Sequence, residues 1–167
     1  IIHPRFSPAT WVDRLEGHLH WLAMHGDIHI IHVVRSDSLD WLKSVYVARM
    51  ANSYVGKAYP KGIKVRIHIR KAVARLRSKD WVDSRLATLA NSNPYLQINY
   101  EDFLENQNGV TDSILRSLGC NPAIMNTEER RIFKQSKCQT ADYVSNYEDL
   151  FEKLERLDLL TSRLAIH

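Results

Sequence analysis

Arg35 to Ser44 holds the residues of this chain best placed to do chemistry together. An apolar β-type run, Ile28–Val34, stops at Arg35, passes through Ser36-Asp37-Ser38 and becomes the helical pattern Leu39, Leu42, Val45, Tyr46, Met50. A strand that ends in arginine and opens directly into a helix is suited to holding an anion. The helix start offers unpaired N–H groups and the positive end of its dipole, and the guanidinium adds a two-pronged donor. Ser44, nearly two turns into the helix, carries a hydroxyl that can donate to a bound phosphate. The competing structural account makes Arg35 a turn cap or a partner of Asp37, and Ser44 an ordinary helix residue.

Other chemistry-bearing residues group less tightly. His18, His20, His25, His29 and His32 follow one helix and one strand. His18 and His25 can share a face, but no third ligand stands at a metal-binding spacing, so no metal is expected. Cys120 and Cys138 are too few for a disulfide framework and give no metal spacing, which favours a reducing compartment and a cytoplasmic location. The net charge is +4, and its distribution is uneven. No acidic residue lies between Asp40 and Asp80, a stretch rich in Lys and Arg, while Glu148, Asp149, Glu152, Glu155 and Asp158 compensate near the end. An anionic partner near the middle of the chain is one reading, and a solvated helix face is the other.

The elements that must position these residues follow from the apolar pattern. A length of 167 residues with 44% hydrophobic and 25% charged content fits one soluble globular domain. No apolar run approaches the roughly 18–20 residues that cross a bilayer, and no signal peptide is read. Ile1-Ile2-His3-Pro4 reads as the end of a strand. Ser7-Pro8 caps a helix carrying Trp11, Val12, Leu15, Leu19 and Leu22, and Gly26-Asp27 breaks it. Ile28–Val34, apolar on both faces, then reads as a buried parallel strand. A helix from Leu39 to about Ser53 follows, then a loop with Gly56, Pro60 and Gly62. Ile63–Ile69 fits either a short extended piece or the start of the next helix, which runs through Val73, Leu76, Trp81 and Leu89 to about Asn91. Tyr95–Tyr100 is the next strand, and Glu101-Asp102 opens a helical turn. Val110, Ile114, Leu115 and Leu118 define a helix closed by Gly119. Thr127–Gln139 is polar and irregular, and a last amphipathic helix carries Tyr147, Leu150, Phe151, Leu154 and Leu157. The expected architecture is a three-layer α/β fold, a central parallel sheet with helices on both faces.

Three blocks in this order resemble the C-terminal part of a sulfotransferase, particularly the bacterial carbohydrate-modifying and nodulation-type branch. Ile30-Ile31-His32-Val33-Val34-Arg35 with Leu42-Lys43-Ser44-Val45 is similar to the family's 3′-phosphate-binding strand, turn and helix. Ile98-Asn99-Tyr100-Glu101-Asp102-Phe103, with Ile114-Leu115-Arg116-Ser117-Leu118-Gly119, resembles its next strand and helix. Lys134-Gln135-Ser136, then Asp142, Val144 and Asn146-Tyr147-Glu148-Asp149-Leu150, is similar to its closing segment.

The resemblance implies a P-loop-like sulfotransferase fold that binds 3′-phosphoadenosine 5′-phosphosulfate (PAPS) at the C-terminal edge of a parallel sheet. It assigns Arg35 and Ser44 to the 3′-phosphate, Lys134 to that phosphate or the adenine, and His3 as the base for the acceptor hydroxyl. The acceptor is expected to be a carbohydrate or glycolipid, bound in part by loops around residues 54–70; no nucleic acid, metal or transmembrane segment is expected. Two departures stand out. The interval from Arg35 to Ser44 is one position longer than the family's, which makes Ser38 the local alternative. The family's Gly-, Ser- and Thr-containing 5′-phosphosulfate loop has no counterpart before Arg35, so residues 1–167 are expected to form a single domain lacking that loop. The rival readings are another nucleotide-binding α/β enzyme, such as a kinase fragment, and a basic nucleic-acid-binding module. The first needs a Gly-rich Lys-Ser/Thr loop that is missing here. The second would stack bases on Tyr46, Tyr54 and Tyr59.

Overall fold

The computed structural model describes residues 8–52, 59–60, 62–124 and 139–160. Helix α1 (Pro8–Met24) starts at the proline that the sequence places first in the helix. Strand β1 (Ile30–Val34) leads into α2 (Ser38–Ala51), and α3 (Ile69–Ala87) ends in a 3-10 turn, Thr88–Asn91. Strand β2 (Tyr95–Asn99) runs straight into α4 (Tyr100–Glu105), followed by α5 (Gln107–Ser117). The last elements are the short α6 (Thr140–Tyr143) and α7 (Tyr147–Arg156). Gly119 takes the left-handed conformation after α5, with φ of 71°, as expected of a residue one past a helix end. No helix among the described residues is long and apolar enough to cross a membrane.

The fold is α/β and mostly helical. Among the described residues its sheet has two strands, β1 and β2, paired in parallel with Ile30 opposite Tyr95 and Val34 opposite Asn99. The long connection through α2 and α3 is what a parallel pair requires. The segment before α3 proves extended: Ile63, Val65 and Ile67 turn inward while Lys64, Arg66 and His68 are exposed. Val65 bridges Val144, and the Asn146 side chain bonds both the N–H and the carbonyl of Ile67.

The main core lies among helices rather than on the sheet. Leu42 and Val47 of α2, Ala72 and Leu76 of α3, and Leu150 and Leu154 of α7 meet Tyr59, Val65 and Ile67 there. The expectation of a strand buried on both faces is corrected at β1. His32 and Val34 are buried, but Ile31 and Val33, on the opposite face, are 38% and 53% exposed. An apolar run states what a strand can bury; coverage is decided by helices far away in sequence. Within the region 54–70 expected to contribute ligand-covering loops, Tyr59, Val65 and Ile67 are buried in the core, and residues 54–58 and 61 lie outside the described residues.

Candidate functional site

The site forms where the two strands end. Arg35 directly follows β1 and Tyr100 directly follows β2, so the parallel register sets them side by side. The Arg35 guanidinium lies over the Tyr100 ring, 4.3 Å from its centroid, a cation–π arrangement. The next residues are tied as well. Glu101 Oε2 accepts from the Ser36 N–H at 3.2 Å and from its hydroxyl at 3.1 Å. Two blocks distant in sequence therefore meet at the C-terminal edge of the sheet.

Arg35 also donates to Asp40 Oδ2 at 2.6 Å, and the other Asp40 oxygen accepts from Lys43 Nζ. Lys43 is fully buried, which is tolerated only because the carboxylate lies against it. The start of α2 differs from the sequence expectation of unpaired N–H groups. The Ser38 N–H donates to the Leu160 carbonyl at 3.3 Å, and the Asp40 N–H to the Asp37 side chain at 2.8 Å. Asp37 caps its own helix, and Asp40 adds a second carboxylate at the positive dipole end.

Arg35, but not the buried Lys43, borders a cavity of about 570 Å³. Val33 and Arg35 line it from the end of β1, Trp41 from α2 and Tyr100 from α4. Helix α3 contributes Arg75, Lys79, Val82 and Asp83. Lys79 has a side chain only 8% exposed and donates to Asp83 Oδ2 at 2.8 Å. Asp83 Oδ1 accepts from His32 Nε2 at 3.2 Å, and His32 Nδ1 lies 2.6 Å from the Tyr95 hydroxyl.

Burial pushes the Asp83 carboxyl up, but hydrogen bonds from His32 and Lys79 outweigh it and hold the group below its ordinary range. Ionised Asp83 can only accept, so His32 Nε2 carries a proton toward it. Burial, and then the Asp83 charge, push the Tyr95 phenol up and keep it a donor. The result is a chain of contacts, Tyr95–His32–Asp83–Lys79, ending at the cavity. Arg75, one turn before Lys79, is exposed with its guanidinium 5.3 Å from the Tyr46 ring centroid, and no carboxylate among the described residues pairs with it.

Of the residues singled out in the sequence, Arg35 borders the cavity and Ser44 does not. The Ser44 hydroxyl donates to the Asp40 carbonyl at 2.8 Å, one turn back in its own helix. Ser38, the alternative, is buried beneath the helix start. His3 and Lys134 lie outside the described residues. In the sequence, Arg75 and Lys79 stand out only as part of the acid-free basic stretch, His32 only within the histidine set and the phosphate-strand block, and Asp83 was missed. The local signal for Asp83 was its four-residue spacing from Lys79. For the nucleic-acid reading, Tyr59 is buried with its hydroxyl toward the Ser44 carbonyl, and Tyr46 is half-buried beside Arg75. Tyr54 lies outside the described residues. Among the described residues no group of three His, Cys, Asp or Glu side chains is placed to hold a metal. Comparison with family models, curated proteins and solved structures found no match to this chain.

Proposed function

We propose that the chain is the donor-binding part of a PAPS-dependent sulfotransferase acting on a carbohydrate or glycolipid hydroxyl. The observation that carries this reading is the position of Arg35, at the C-terminal end of a parallel strand and on the wall of a cavity large enough for a nucleotide. Trp41 and Tyr100 offer aromatic surface beside it for an uncharged part of the ligand. The reading requires a finer architecture, the three-layer P-loop-like sheet, of which β1 and β2 would be two strands. It also fits work in a reducing compartment such as the cytoplasm.

In the reaction, an acceptor hydroxyl oxygen forms a bond to sulfur as the bond from sulfur to the 5′-phosphate oxygen breaks. A base takes the hydroxyl proton, and the products are a sulfate ester and adenosine 3′,5′-bisphosphate. Positioning and cationic stabilisation of the leaving phosphate supply most of the rate in such transfers. Arg35 would hold the donor by its 3′-phosphate through charge-assisted bonds that contribute roughly 1.5–3 kcal/mol.

Calorimetric titration with adenosine 3′,5′-bisphosphate, against ADP and AMP, tests this. Arg35→Ala should weaken bisphosphate binding at least about tenfold with an unchanged circular-dichroism spectrum. Ser44→Ala should cost less, about 1 kcal/mol at most, since its hydroxyl already has a partner. Equal affinities in Arg35→Ala and wild type would remove Arg35 from the site and the reading with it.

A further inference from the structure

The cavity has a second cationic wall that the reading above leaves unused. Arg75 and Lys79 stand one turn apart on α3 and both border the space that Arg35 borders. Residues four apart on a helix share a face. Lys79 is nearly buried and held by Asp83, which His32 holds in turn, so its ammonium is placed in advance. Arg75 is exposed, and no carboxylate among the described residues offsets its charge. The cavity lining thus holds three cations against one carboxylate, Asp83. A cavity of about 570 Å³ also exceeds what a single phosphate fills.

We infer that Arg75 and Lys79 form a second anion-binding position in this cavity, taking a phosphate or sulfate group separate from the one held by Arg35. Val33, Trp41 and Val82 supply apolar surface for the uncharged body of the ligand. The inference rests on the nucleotide reading for the identity of the first group. The second group belongs either to the same nucleotide, as its 5′-phosphate, or to an acidic sugar acceptor.

Titration of the full chain with adenosine 3′-monophosphate, adenosine 3′,5′-bisphosphate and glucose 6-sulfate separates these sources. Arg75→Ala and Lys79→Met should each lower the affinity for the bisphosphate or the sugar sulfate at least fivefold. Both should bind the 3′-monophosphate, which engages Arg35 alone, as wild type does. Sensitivity of the bisphosphate assigns the position to the donor, and sensitivity of the sugar sulfate assigns it to the acceptor. Lys79→Arg, which keeps the charge, should restore most of the loss. Arg75 is exposed, so its variant is decisive even if Lys79→Met disturbs the fold through Asp83. If neither variant changes either affinity, the second position is overturned, whatever Arg35 does. If Arg35→Ala binds the 3′-monophosphate as wild type does, the nucleotide reading fails instead, and the response of the sugar sulfate alone then decides the second position.

Discussion

Asp40 joins two cations of different standing, the half-buried Arg35 and the fully buried Lys43. Removing one partner of a buried ion pair leaves an uncompensated charge, so Asp40→Ala should destabilise the chain by roughly 3–5 kcal/mol in chemical denaturation. Asp40→Asn, which keeps the shape, should cost less. Arg35 was legible in the sequence because a charge that ends an apolar run before a helix is unusual. Asp40 and Lys43 were not, since a three-residue spacing of opposite charges reads as an ordinary surface pair. The same holds for Lys79 and Asp83, whose importance depends on His32 arriving from β1. The Asp83 carboxyl titrates below its ordinary range when folded and regains it on unfolding. Its contribution is therefore present at neutral pH and lost as pH falls below about 4 through the folded value. Denaturation midpoints measured downward from pH 6 should fall over that acid range, and less steeply in Asp83→Asn.

Among elements, the turn from α1 to β1 is pinned by one side chain from the turn before β2. Asn93 Nδ2 lies 3.2, 2.9 and 3.2 Å from the carbonyls of Leu22, His25 and Ile28. Gly26 sits so close that a Cβ there would meet the Ser92 carbonyl oxygen at 2.8 Å. Asn93→Ala removes this shared donor, although the Leu22 and His25 carbonyls keep backbone N–H partners, and should cost about 1 kcal/mol. Amide hydrogen exchange should quicken at Ile30, whose N–H donates to the Pro94 carbonyl beside this junction. Most helix and strand positions were readable because apolar period and Gly or Pro punctuation agree. Ile63–Ile69 was ambiguous because an alternating run passes into a helical one at His68, and only burial separates them. The Asn93 contact had no local signature, since asparagine before proline reads simply as a turn.

At the scale of the whole molecule, stability concentrates in the helical core. Leu42 is fully buried there, so Leu42→Ala should cost about 2–5 kcal/mol. Ile31, half-exposed on β1, should tolerate Thr within about 0.5 kcal/mol. Similar losses at both positions in urea titrations would contradict this division. The α/β class was legible from strands alternating with helices, but the number of strands and the placing of the core were not. Both depend on which helix covers which face.

The Arg35–Asp40 contact bears on how the chain meets the ions of its solution. A carboxylate tethered five residues away acts at an effective concentration on the order of millimolar or more. Chloride or acetate arriving at Arg35 must displace a resident of equal charge and gains little by doing so. A phosphate group brings nearly two charges and three acceptor oxygens, and outbids it. The internal carboxylate thus acts as a threshold, under which Arg35 responds to the valence of an anion more than to its abundance.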